Sequence, residues 1–80
     1  MQEGQGRGGP KDEAEARRLY GRAAAQGHAE AQYSLAVLHA KGRGGPKDEA
    51  EARRLYGLAA AQGDAKAQYN LAVLHAFGIG

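Results

Sequence analysis

A sequence repeated at an interval of 36 residues is the feature that most constrains this chain. Residues 6–44 and 42–80 form 39 aligned pairs and differ at six of them, and both copies begin with the identical segment GRGGPKDEAEARRLYG. Periods of 20–50 residues are typical of repeat proteins, in which neighbouring units bury one another's apolar faces. We therefore predict one domain, residues 1–80, with repeat units at about 6–41 and 42–77.

Each unit begins with a helix signal. Asp12 is followed by Glu-Ala-Glu and then by two arginines, an order that suits the helix dipole. An Asp with a Glu three residues later is a capping-box pattern, so Glu15 is expected to bond back to the cap residue. Glu13 and Arg17 have the spacing of a helical ion pair, and Glu49 and Arg53 repeat it in the second copy. Helices are predicted over residues 12–26 and 48–62.

A second helix is predicted directly after the first in each unit. Gly27 indicates a left-handed end to the first helix. His28 and Asp64 then occupy equivalent cap positions, for which Asp is the better residue. The segments 29–40 and 65–76 are rich in residues compatible with a helix. Short connections make successive helices antiparallel neighbours, so the predicted fold is all-α with four helices.

Residues at fixed positions in the repeat resemble the Sel1-like repeat, a relative of the tetratricopeptide repeat. In the central part of the chain these residues are Ala31, Leu35, Gly42, Gly44, Asp48, Ala52, Ala59, Ala60 and Gly63. The resemblance covers about residues 4–80. It implies a short right-handed α-solenoid of two helix-turn-helix repeats, whose concave surface holds another protein or peptide, often in bacterial signalling or complex assembly. It implies no catalysis and no cofactor.

Several positions depart from the pattern of that family. His39 and His75 stand where tyrosine is usual, and Gly45 stands where valine is usual. Gly45 is therefore expected to loosen the joint between repeats. Both ends of the chain fall out of phase with the repeat, so the first and last helices are expected to expose stacking faces, where repeat arrays normally carry polar caps.

The differences between the copies favour a surface on the second helix of each unit. Glu30/Lys66, Ser34/Asn70 and Lys41/Phe77 share one helical stripe with a tyrosine and a valine. The alternatives are a groove that binds a partner through amphipathic contacts and ordinary solvent exposure. The predicted partner-binding residues are Glu30, Tyr33, Ser34, Val37, Lys66, Tyr69, Asn70 and Val73. An apolar row is an alternative site of self-association, formed by Tyr69, Val73 and Phe77.

Motifs of other function classes are weak or missing in the sequence. The chain has no cysteine, a single serine and no phosphate-binding loop, so we predict that it is not an enzyme. His28, His39 and His75 do not have the spacing of a convergent metal site. The Arg-Gly-Gly triplets at 7–9 and 43–45 could contact RNA, but each is isolated, precedes a helix start and lies among interleaved charges. We interpret them as loops and predict no nucleic-acid partner.

Two functions follow from these observations. No apolar run approaches the roughly 18–20 residues that span a bilayer, and residues 1–4 lack a signal-peptide pattern, so a cytoplasmic location without membrane contact is expected. The first function is an interaction scaffold that binds a peptide or helix of a partner. The second is a self-associating repeat unit, a fragment or a consensus-like design, which forms homo-oligomers through its uncapped ends.

Overall fold

Four helices account for most of the described chain. The computed structural model describes residues 12–78. Its helices are α1 (Glu13–Ala25), α2 (Ala29–Lys41), α3 (Glu49–Ala61) and α4 (Ala65–Phe77). Each of them ends within one residue of its prediction, and residues 12–78 contain no strand. None of the four helices is long and apolar enough to cross a membrane.

Carboxylate side chains cap three of the four helices at their N-termini. Asp12 Oδ1 accepts a hydrogen bond from the Glu15 amide at 3.0 Å, and Asp48 makes the same bond in the second copy. Asp64 Oδ1 accepts from the Ala67 amide at 2.8 Å, whereas His28 makes no side-chain bond at the start of α2. Each such bond satisfies an amide that has no partner within the helix. The prediction that Asp is the better residue at this cap is confirmed.

The second half of the predicted capping box is wrong. The Glu15 carboxylate accepts hydrogen bonds from Arg18 Nε and Nη2, at 3.0 Å and 2.5 Å. Glu51 accepts from Arg54 in the same way, at 2.9 Å and 2.6 Å. The fork of a guanidinium supplies two charged donors, which a single backbone amide cannot match. These glutamates therefore pair along the helix rather than with the cap.

Helices pack in the order of the chain. α1 packs against α2, α2 against α3 and α3 against α4, and the most extensive of these contacts joins α2 and α3. The buried cluster consists of Ala24, Ala31, Leu35, Ala36, Ala52, Leu55, Tyr56, Ala59 and Ala67. Since alanine dominates this cluster, each residue buries little apolar area and the fold depends on close helix contacts. This is the predicted all-α repeat solenoid.

Residues 42–48 connect α2 to α3 and lie against the start of α1. Gly42 ends α2 in the left-handed region at φ +67°, and the Asp48 amide donates to the His39 carbonyl at 2.9 Å. Arg43 Nε donates to Glu13 Oε2 at 2.9 Å. The predicted Glu13–Arg17 pair is therefore replaced by a contact between the two copies. The loop interpretation of residues 43–45 is confirmed, while the triplet at 7–9 lies outside the described residues.

Candidate functional site

Differences between the two copies lie outside the core. Every buried residue has an identical residue 36 positions away in the sequence. The eleven differing residues within 12–78 are all exposed or half-buried, and the twelfth, Ile79, lies outside the described residues. Change between the copies is therefore confined to the surface of the described chain.

The predicted binding residues of α2 are only partly accessible. Glu30 is exposed, whereas Tyr33, Ser34 and Val37 are half-buried. Tyr33 and Val37 pack against the core cluster, and the Tyr33 ring lies 5.8 Å from the Tyr56 ring, tilted by 54°. Tyr33 therefore contributes to the contact between α2 and α3 as well as to the surface.

The corresponding residues of α4 are more accessible. Lys66 is exposed, Asn70 and Val73 are half-buried, and Tyr69 has 71% of its surface exposed. Asn70 Nδ2 donates to the Lys66 carbonyl at 2.8 Å, and Lys66 Nζ lies 5.9 Å from the centre of the Tyr33 ring. Because Lys66 reaches Tyr33, the stripes of α2 and α4 adjoin. Phe77, at 75% exposed, extends the same side of α4.

Two clefts of the described chain are lined in part by α1. One, of about 380 Å³, is lined by Tyr20 and Ala23 of α1, by the cap residue His28 and by three residues of α2, which are Glu30, Ala31 and Ser34. The other, of about 430 Å³, lies between α1 and α3 above Gln32 and Leu35. The first cleft contains two of the predicted binding residues. Tyr20 was not predicted as part of a site. Residues 6–21 and 42–57 are identical, so the sequence contains no signal that separates the exposed Tyr20 from the buried Tyr56.

Arg17 fills the joint between the copies. Its guanidinium donates to the Arg43 carbonyl at 3.1 Å, to the Pro46 carbonyl at 2.8 Å and to His39 Nδ1 at 2.6 Å. A Cβ atom on Gly45 would lie 3.0 Å from Arg17 Cζ. The expectation that Gly45 loosens this joint is therefore wrong, because the guanidinium takes the space that a valine side chain would use.

His39 and His75 each face an arginine rather than one another. His39 is half-buried beside Arg17, as expected for a histidine in a tyrosine position, whereas His75 is exposed with Nδ1 3.1 Å from Arg53 Nη2. Within residues 12–78, no group of three or more histidine or acidic side chains could hold a metal ion.

Burial, followed by the charge of Arg17, lowers the pKa of His39. Since arginine is always a donor, His39 Nδ1 must be an unprotonated acceptor here.

We expect the stability of the chain to fall as the pH drops below about 6.5, the ordinary pKa of histidine. In this range the unfolded chain binds a proton at His39 more readily than the folded chain does, because the folded-state pKa is lowered. The free energy of unfolding should have its full value above about pH 6.5 and should decline as the pH falls towards the lowered pKa of His39. Urea unfolding followed by circular dichroism at a series of pH values measures this slope.

His39→Gln should remove most of that slope. The exposed His28→Gln is the matched control and should retain the slope of the parent chain. The carboxylates Glu15 and Glu51 also have lowered pKa values, caused first by hydrogen bonds from Arg18 and Arg54. Their effect begins in a more acidic range, so it is separable from that of His39. An unchanged slope in His39→Gln would contradict the assignment.

Comparisons with known proteins agree with this architecture. The sequence model of the Sel1 repeat matches residues 2–28, 29–64 and 65–80, so its complete unit contains α2 and α3. The crystal structure of a Sel1 repeat protein from Oxalobacter formigenes is similar to this chain, with 39% identity and a TM-score of 0.86. The similarity covers 89% of this chain and 29% of that one. No curated protein matches the chain significantly. Because the matched segments include nearly every residue, the chain belongs to the Sel1 repeat family.

Proposed function

We propose that this chain is a non-catalytic protein-interaction module that binds a peptide or helix of a partner along the adjoining stripes of α2 and α4. One observation carries the proposal: within residues 12–78 the copies differ only outside the core, and three of the six differing pairs lie on these stripes. Sel1 repeats are generally protein–protein interaction modules, which agrees with this proposal. The predicted residues Glu30, Tyr33, Ser34, Val37, Lys66, Tyr69, Asn70 and Val73 would form the surface, and Phe77 would extend it at the end of α4.

The chemistry of this surface suits an amphipathic segment. Tyr69 and Phe77 expose aromatic rings, which are favoured at interfaces because they bury a large area at a small entropy cost. Glu30 and Lys66 carry opposite charges at equivalent positions of the two copies. A partner helix with apolar residues on one face and charges of both signs on its flanks would match this arrangement.

The use of charged residues within the chain supports binding rather than catalysis. Asp12, Asp48 and Asp64 cap helices. Arg17 and His39 hold the joint. These groups act on the fold itself, and none of these contacts pairs a nucleophile with a general base, as nucleophilic catalysis requires.

The test is to select peptides from a random-sequence display library and to map the tightest binder on the chain by ¹⁵N NMR. Shift changes are expected on α2 and α4, centred on Val37, Val73 and Phe77. Phe77→Ala should weaken binding at least about tenfold, as truncation of an aromatic interface anchor commonly does. Leu58→Ala on α3 is the matched control, because Leu58 is also an exposed apolar residue, at 41%.

The control should bind the peptide as tightly as the parent chain does. Shift changes centred on α1 and α3 would overturn the proposal. So would an equal loss of affinity in both variants, or a library that yields no peptide specific for the chain.

A further inference from the structure

The repeat leaves two complementary faces on one molecule. We infer that a second copy of this chain docks head to tail, with α4 of one copy against α1 of the next and Tyr69 inserted beside Tyr20. The contact would reproduce the one between α2 and α3 within the chain. This inference does not rest on the partner-binding function proposed above.

The first line of argument is the difference in burial between identical residues of α1 and α3. Leu55 is 2% exposed, whereas the equivalent Leu19 is 48% exposed. Tyr56 is 4% exposed, whereas Tyr20 is 40% exposed. α3 packs against α2, which precedes it in the chain, whereas no described helix precedes α1. The exposed part of α1 is therefore equivalent to the surface of α3 that α2 covers.

The same difference appears on α4. Ala36 of α2 is fully buried at 0% exposure, while the equivalent Ala72 is exposed. Tyr33 is half-buried, while the equivalent Tyr69 is 71% exposed. α4 therefore presents the surface that α2 uses to hold α3. Since every buried residue is identical in the two copies, α4 and α1 carry the full set of core residues that join α2 and α3.

The cleft beside Tyr20 has the position of a tyrosine socket. Moving its lining residues forward by one repeat gives Tyr56, Ala59, Asp64, Lys66, Ala67 and Asn70. Tyr33 lies at that site within the chain, with its ring 5.8 Å from Tyr56 and beneath Lys66 Nζ. Tyr69 of a second copy is the residue equivalent to Tyr33. Its ring would enter the cleft of about 380 Å³ beside Tyr20.

Glutamine side chains form a ladder that continues in the same direction. Gln62 Nε2 donates to Gln32 Oε1 at 2.9 Å, and Gln32 Nε2 donates to the Ala24 carbonyl at 3.3 Å. Gln68 already repeats the second of these bonds, donating to the Ala60 carbonyl at 3.2 Å. Gln26 of the next copy is equivalent to Gln62. Docking would bring its amide to Gln68 Oε1 and would complete the ladder.

The differing residues are compatible with this contact. Positions 30 and 66 alternate in charge, so Lys66 of one copy would be followed by Glu30 of the next. Opposite charges at neighbouring positions favour this register.

Phe77 is equivalent to Lys41, which is exposed although α2 is covered by α3. Phe77 would therefore stay exposed in the assembly, and of the row Tyr69, Val73 and Phe77 it is Tyr69 that would enter the cleft.

A contact between two different faces does not close on itself. Each docked copy leaves one free α1 and one free α4, so further copies can add in the same way. The mass measured by light scattering should therefore rise above 8.4 kDa with concentration and should pass through the dimer without a plateau. A series from about 1 μM to about 1 mM covers moderate and weak association.

Two variants block one face each. Leu19→Arg places a charge on α1, and Ala72→Arg places a charge on α4, at residues that are exposed in the single chain. Each variant alone should remain a monomer at every concentration. An equal mixture should form a dimer and stop there, because the intact α4 of the first variant docks on the intact α1 of the second. Equal circular dichroism spectra would show that both variants are folded.

Matched controls use the same change at positions that stay exposed in both copies. Leu58→Arg restores the residue that stands at the equivalent Arg22, and Ala61→Arg changes an alanine whose equivalent, Ala25, is also exposed. Both controls should assemble as the parent chain does.

A spectroscopic readout reports on the socket itself. The chain has no tryptophan, so Tyr69→Trp introduces a single one. Its emission should shift to the blue as concentration rises, and Leu19→Arg in the same chain should abolish the shift.

Several results would overturn the inference. They are a parent chain that stays monomeric at the highest concentration, a blocked variant that still assembles, and a mixture of the two blocked variants that stays monomeric. A monomeric parent would mean that these faces bind other repeats or another protein.

Discussion

Leu55→Ala is expected to lower the free energy of unfolding by about 3 kcal/mol, as for other large-to-small changes in a packed core. The same change one repeat earlier, Leu19→Ala, should cost less than about 1 kcal/mol, because about half of that side chain already contacts water. A chain of this length is expected to have a total stability of roughly 4–12 kcal/mol. Leu55→Ala therefore removes a large fraction of it, and Leu19→Ala does not.

This pair is informative because the two leucines lie in identical local sequences. Residues 6–21 and 42–57 are the same, so helix propensity and local contacts cancel in the comparison. Urea unfolding followed by circular dichroism should be measured at low micromolar concentration, where little assembly is expected. If copies dock through α1, Leu19→Ala should also become more costly as the concentration rises. Equal losses for the two variants at low concentration would contradict the difference in burial.

Gly44→Ala is the second large effect that we expect. Gly44 has φ +75°, and a Cβ atom there would lie 2.3 Å from the Glu13 carbonyl oxygen at the start of α1. The clash is with backbone, so no side-chain rotation can relieve it, and the loop must move away from α1. We expect a loss of about 3 kcal/mol, of which about 1 kcal/mol is the cost of a left-handed conformation for a non-glycine residue.

Gly63→Ala separates these two contributions. Gly63 has φ +93°, but nothing lies within 4 Å of the position of its Cβ atom. Its loss should therefore be limited to about 1 kcal/mol, the conformational cost alone. Thermal unfolding of the two variants beside the parent chain measures the difference. Two similar melting temperatures would show that the loop does not press on α1 as described.

Much of the fold follows from short-range rules that can be applied to the sequence. The interval of 36 residues predicts two equivalent units, and Asp12, Asp48 and Gly27 mark helix ends through bonds that reach at most five residues. These interactions depend on neighbours in the chain, so they are readable without the tertiary structure. For the same reason the four helices lie within one residue of their predicted limits.

Contacts between distant residues were predicted less well. Glu13 has Arg17 at helical spacing, yet it bonds to Arg43, while Arg17 reaches two loop carbonyls and His39. A long flexible side chain has several partners within reach, and the three-dimensional position of the loop selects among them. The role of Gly45 was misjudged for this reason, because its effect depends on a guanidinium that is distant in sequence.

The sequence by itself determined the repeat, the helices with their caps, and the positions at which the two copies differ. Only the tertiary structure decided which of two identical residues is buried. Leu19 and Leu55, or Tyr20 and Tyr56, have the same local sequence and differ in exposure because one member of each pair has a helix packed against it and the other does not. Burial is a property of the neighbours in space, and a repeated sequence contains no local signal that separates an inner unit from an outer one.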